Sequence, residues 1–191
     1  MIPSVVLFDH ITPLPWRNGG GVTRKLLAWP TADDWVVRLS VADIERDGPF
    51  SAFPGIDRWF AVLSGNGVLL GAPAMRVTRK DGCHAFDGAL VPACHLISGP
   101  TRDLNLMIRR DVAQGALTRH QPATEVKITA PLAAPQRGLR GVFVVRESVL
   151  SFGGTELRLN AYSLAWSESD FTEWIVSSAA AVWSFQCQLR A

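Results

Sequence analysis

The residues from Pro15 to Arg24 read Pro-Trp-Arg-Asn-Gly-Gly-Gly-Val-Thr-Arg. Three successive glycines ahead of a strand let the backbone approach a ligand closely and leave N–H donors accessible. Asn18 adds a donor and an acceptor, Thr23 a hydroxyl, and Arg17 and Arg24 fixed positive charge suited to a carboxylate. Such a set could hold a small anion. It reads equally well as an entry loop with solvated arginines. It is not a phosphate loop, because no Gly-Lys-Ser/Thr ending or following helix is present.

Other polar groups are weaker candidates. Asp43 and Glu45 open a span rich in acids, turn residues and aromatics, running through Asp47-Gly48-Pro49-Phe50 to Asp57-Arg58. Paired carboxylates can do acid–base work, but solvated turns account better for this composition. Asp87 precedes Gly88, and Asn105 interrupts the apolar run from Leu104 to Ile108, with Arg109 at an even spacing. A polar side chain on a buried face needs a partner, which here is more simply structural than a ligand.

Metal and nucleophile chemistry find little support. The four histidines are His10, His84, His95 and His120. None forms the H-x-H pair that would set two imidazoles on one strand face. His84 and His95 could approach across a hairpin, but two ligands make a weak site. There is no G-x-S-x-G elbow, and Cys83, Cys94 and Cys187 share no C-x-x-C spacing. They read as buried, reduced thiols of a reducing cytoplasm. The tryptophans read as core, except Trp16 beside the glycine loop.

The elements that must position these groups are short strands. In Trp35–Ile44, Val37, Leu39 and Val41 fall on one face and Arg38, Ser40 and Ala42 on the other. That period of two is a strand signature. Strands are also expected at Ser4–Phe8, Val22–Trp29, Arg58–Leu63, Gly67–Leu70, Met75–Arg79, Cys83–Phe86 and Leu104–Arg109. Beyond these, expected strands are Val142–Arg146, Leu150–Phe152, Glu156–Leu159, Ala161–Trp166, Trp174–Val176 and Ala181–Leu189. Ser64-Gly65-Asn66-Gly67 and Phe152-Gly153-Gly154-Thr155 supply tight turns. The spacing fits an all-β sandwich or barrel. Residues 114–137, rich in Ala, Pro, Gln and Thr, read as a connection between a first part (1–113) and a second, degenerate part (138–191).

The chain has 191 residues, enough for one sizeable domain or two small ones. With 48% hydrophobic and 19% charged residues, disorder is not expected. A net charge of +2 with scattered basic residues gives no reason to expect nucleic acid. No apolar run reaches the roughly 20 residues of a membrane helix, and the start carries no signal-peptide pattern. The expectation is a cytoplasmic protein without a membrane partner.

Taken in order, several blocks resemble one family. Pro15–Arg24 is similar to the opening signature of the HutD family (the HutD/Ves group). Arg38–Ile44, Asp47–Ser51, Phe53–Arg58, Leu63–Gly67, Phe86–Gly88 and Leu104–Met107 are similar to its later blocks. The resemblance spans roughly residues 12 to 110. It implies a cupin-like fold, with two β-barrels in one chain, no metal and no cofactor. It also implies a bacterial protein tied to histidine utilisation, restraining the pathway by binding an acidic intermediate: urocanate, formiminoglutamate or N-formylglutamate. On that basis Trp16, Asn18, Gly19, Gly20, Thr23, Arg24, Arg38, Ser40, Asp87 and Asn105 are expected to line one ligand pocket. Recognition without turnover is the leading expectation. A metal-independent isomerase or hydrolase, with Asp87 or Asp43 as acid–base group, is the alternative, and a protein-interaction module the third. A homodimer is compatible with each.

Overall fold

The computed structural model describes residues 2–129, 137–168 and 172–190. In chain order its strands are β1 (Ser4–Leu7), β2 (Leu14–Pro15), β3 (Gly21–Pro30), β4 (Trp35–Ile44), β5 (Gly48–Pro49), β6 (Ile56–Ser64), β7 (Val68–Leu70), β8 (Met75–Val77), β9 (His84–Asp87) and β10 (Ala93–Leu96). They continue as β11 (Thr101–Arg109), β12 (Ala113–His120), β13 (Ala123–Ile128), β14 (Gly138–Val144), β15 (Ser148–Phe152), β16 (Thr155–Leu159), β17 (Ser163–Glu168), β18 (Trp174–Ser178) and β19 (Val182–Leu189). Among the described residues the one helical element is a 3-10 turn, Phe8–His10. No helix is long and apolar enough to cross a membrane.

The chain divides into two compact units. The central unit, residues 11–112, holds a six-stranded sheet ordered β2-β3-β4-β11-β6-β9 and a four-stranded sheet ordered β5-β10-β7-β8. The flanking unit, residues 1–10 with 113–191, holds a five-stranded sheet, β1-β17-β14-β19-β12, and a four-stranded one, β13-β18-β15-β16. Every strand pairing is antiparallel. The units do not follow the expected division. β12 and β13 lie where a connection was expected, and β1 pairs with β17 rather than with its sequence neighbours. Polar composition concealed β12. Only Ala113 and Leu117 of it are buried, as befits a sheet edge. Residues 130–136 of the expected connection lie outside the described residues.

Each unit has its own apolar core. In the central unit Ile44, Phe50, Phe60, Val62, Val68, Leu70, Val77 and Cys94 cluster together. In the flanking unit Trp174, Val142, Leu150, Val176 and Val182 anchor another cluster. In β4 the expected alternation holds. Val37, Leu39 and Val41 are buried on one face, and Ser40 on the other is buried as well. A strand covered on both faces must find partners for its polar residues, and this is what gives Arg38 and Ser40 their importance.

Close approach of chain segments fixes β3 against β4. Gly21 pairs with Ile44, and a Cβ at Gly21 would run into the backbone carbonyl of Asp43. Gly21→Ala must therefore push the two strands apart. The expected cost is about 1–3 kcal/mol, read as a lower urea midpoint with an unchanged denaturant slope.

Candidate functional site

The cavity of interest lies within the central unit and has a volume of about 610 Å³. Strand register builds it. On the inner face of the six-stranded sheet, Arg38 of β4, Met107 of β11 and Arg58 of β6 stand side by side. The next row carries Lys25, Ser40, Asn105 and Phe60, and the one beyond it Thr23, Ala42, Asp103 and Val62. Side chains two residues apart on a strand share a face, so rows lie about 7 Å apart. One end of this face is cationic, and a lone carboxyl group marks the other.

Both guanidiniums at the cationic end are sheltered. Arg58 is 4% exposed. Its guanidinium carbon lies 4.9 Å from the Phe86 ring centre, 5.2 Å from that of Phe50 and 5.5 Å from that of Phe53. Its Nη1 donates to the Ser51 carbonyl at 3.1 Å. Arg38 lies 4.8 Å from the Trp35 ring and 4.9 Å from Phe53, and its Nη2 donates to the Met107 sulfur at 2.8 Å. The Nε of each arginine is buried without a protein partner. Burial lowers the pKa of Arg58 to about 10; Asp103 opposes that shift and Arg38 adds to it. Burial lowers Arg38 in the same way. Both remain charged at neutral pH.

Asp103 is 2% exposed, and its Oδ1 has no protein partner. Burial pushes its carboxyl up to about 8, against the pull of Arg58 and of the Asn105 side chain, with Asp43 adding to the rise. No ion pair joins it to either arginine. Burial thus favours the neutral form of this acid, and with Arg38, Arg58 and Lys25 in the lining the cavity is net positive. Asn105 is 8% exposed with an unpartnered Oδ1. At the rim, the Trp16 indole donates to the Thr23 hydroxyl at 2.7 Å, and Arg17, Asn18 and Lys25 complete the lining.

Of the residues expected to line one pocket, the cavity gathers Trp16, Asn18, Thr23, Arg38, Ser40 and Asn105. Four do not join them. Arg24 lies between two lining residues, Thr23 and Lys25, and so faces the other side of the sheet. There it pairs with Asp43 at 3.2 Å, and Arg102 pairs with the same carboxylate at 2.6 Å. Asp87 is bonded to Arg110 at 2.8 Å and accepts from the Ala89 N–H; Arg110 holds its carboxyl below the usual range. Gly19 and Gly20 form a closed turn. Gly19 N–H donates to Trp16 O and Gly20 N–H to Asn18 Oδ1, both at 3.0 Å, so these donors are already used.

Arg58, Asp103, Met107, Lys25, Phe50 and Phe53 also line the cavity and were not anticipated. The available signal was a charge in period with apolar residues. Arg58, Phe60 and Val62 alternate, as do Asp103, Asn105 and Met107. Starting the last central strand at Leu104 left Asp103 outside it.

The histidines do not converge. His95 bonds to Asp47 at 3.0 Å, while His84 stacks on Phe86. Among the described residues no cluster of three or more His, Cys, Asp or Glu is placed to hold a metal. A wider groove of about 860 Å³ in the flanking unit is lined by serines already bonded within the protein: Ser148 to Ser178, and Ser177 to the Thr124 carbonyl. Its charged residues, Glu147 and Arg158, are exposed.

Comparison with known proteins agrees with this architecture. The chain is 39% identical over 99 residues to an uncharacterized 21.2 kDa protein in the hutC 3′ region of Pseudomonas putida, a match covering 49% of this chain and 52% of that protein. The chain spans about half the length of the curated relatives it matches. The structure of HutD from Pseudomonas fluorescens SBW25 matches with a TM-score of 0.82 and 25% identity, over 99% of this chain and 100% of that one. A cupin 2 conserved barrel domain protein from Leptotrichia buccalis matches with a TM-score of 0.57 and 10% identity, over 100% and 98% of the two chains, a likeness of fold alone. The all-β fold is thus cupin-like. The HutD family model matches residues 9–183, and the chain belongs to the HutD family.

Proposed function

We propose that this chain is a metal-independent binding protein for a small carboxylic acid of histidine catabolism, and that binding restrains the pathway. The observation that carries this is the row Arg38–Met107–Arg58: one half-buried and one buried guanidinium, each with an unpartnered Nε. Burying a guanidinium costs several kcal/mol, and ring stacking returns about 2 kcal/mol at most when desolvated. A carboxylate supplies the missing charge and the missing hydrogen bonds. Urocanate, formiminoglutamate and N-formylglutamate each bring one, and the hutC-region location of the Pseudomonas putida relative supports drawing the candidates from this pathway. We further propose that each unit is a cupin-like barrel, and that the protein acts in the cytoplasm, as a monomer or a homodimer.

A second function is favoured by one observation. Asp103, held neutral near pH 7, is suited to general acid catalysis. It would take the acid–base role in a metal-independent isomerase or hydrolase; Asp43 and Asp87 are committed to arginines.

Calorimetric titration with the three acids, each mixture also assayed for product, separates the two. Saturable binding without product is the expected result. Product formation would favour the enzyme, and no binding would reject both. Arg38→Lys and Arg58→Lys should each weaken binding about tenfold or more, since lysine lacks the planar fork. Arg24→Ala and Asp87→Asn should leave the affinity unchanged, because neither side chain reaches the cavity. An affinity loss in these two variants that matched the loss in the Arg38 variant would place the site elsewhere.

A further inference from the structure

We infer that Asp103 serves the cavity as a neutral proton donor, so that the site selects carboxylic acids presenting a hydrogen-bond acceptor there over amino acids presenting an ammonium group. This rests on the binding function proposed above and names the class of ligand it admits.

The surroundings of Asp103 support the assignment. Its neighbours in register are Ala42 and Val62, both buried and apolar. The charged and titratable groups around it come from every adjoining strand: Arg38 and Asp43 from β4, Arg58 from β6, Lys25 from β3, Arg102 from β11 itself and Cys94 from β10. Arg102 and Asp43 pair with each other on the reverse face of the sheet. The cavity arginines stand two rows along the sheet and form no ion pair with Asp103, although the charge of Arg58 is felt there. Asp103 lines the cavity and its Oδ1 is buried without a protein partner, which leaves that oxygen to carry the proton. A ligand carboxylate docked on Arg38 and Arg58 adds a second negative charge nearby. That disfavours ionisation of Asp103 further, so ligand and proton reinforce each other. An ammonium group placed beside a neutral acid would lose its water and gain no countercharge.

Linkage gives a signature that needs no ligand. The folded chain holds this proton more tightly than the unfolded chain, whose carboxyl has the ordinary value of 3.8. The associated stability is fully present below that value and is lost as pH rises through about 8. Asp103→Asn should remove this loss, so the melting temperature of the parent should fall relative to the variant as pH rises from about 4 to about 8, and level off above that.

The decisive experiment has two arms. In the first, the carboxyl carbon of Asp103, assigned through its own backbone in the unmodified chain, is followed by NMR across pH. A midpoint near 8 is expected, and one near 4 overturns the proposal. In the second, calorimetry at pH 7 compares two matched pairs, urocanate with histidine and N-formylglutamate with glutamate. At least one pair should favour the member without the ammonium group by about tenfold or more. Equal or reversed preference overturns the selectivity while leaving the binding function standing. No binding by any of the four overturns the binding function and the selectivity together, even with a high midpoint for Asp103.

Discussion

The sheltering of two guanidiniums on either side of Met107, Arg58 buried and Arg38 half-buried, is the constraint around which the central unit is organised. Taking each charge out of water costs several kcal/mol, and the protein meets part of that cost with aromatic faces. Trp35 comes from the start of β4, Phe86 from β9, and Phe50 and Phe53 from the segment between β5 and β6. Phe53 touches both arginines, and Arg58 also ties the Ser51 carbonyl. The segment that brings Phe50, Ser51 and Phe53 to the cavity wall is therefore held by the charges that line it.

Parity along the strands sorts the charges of this sheet into two kinds. On the outer face, Arg24 and Arg102 close on Asp43 and the cluster is complete. On the inner face, Arg38, Arg58 and Asp103 remain incompletely bonded. The same residue types, one position apart, give a closed structural clamp on one face and incompletely bonded groups on the other. A β-bulge between Lys25 and Leu27 shifts the phase of β3 beyond this point, so that Thr23 and Lys25 face inward although Leu26 and Leu27 are both buried.

Those parts of the site that depend on local pattern were readable from sequence. The alternation of β4 announced Arg38 and Ser40, and the polar interruption of β11 announced Asn105. Trp16 stood out by its place beside the glycines. What depended on pairing was not readable. Asp87 looked available because its partner Arg110 lies 23 residues further on, and Arg24 because Asp43 and Arg102 belong to other strands. The glycine loop looked like a set of free donors, yet its turn uses them internally. Arg58 opened an expected apolar strand, and nothing local marks a single arginine there as facing inward. Fold class followed from turn spacing. The division of the chain did not, since the pairing of β1 with β17 leaves no local trace.

That pairing has a consequence for how the protein is made. Residues 4–7 are synthesised well before their partners, residues 163–166. At ribosomal rates of about 5–20 residues per second, the first strand waits on the order of ten seconds or more for its place in a sheet. The central unit, residues 11–112, emerges complete in the meantime. Its folding can finish while β1 is still unpaired, so a segment made before the central unit is secured after it. During that interval a solitary strand edge stands exposed, and the burden of keeping it from false partners falls on the speed with which β17 arrives.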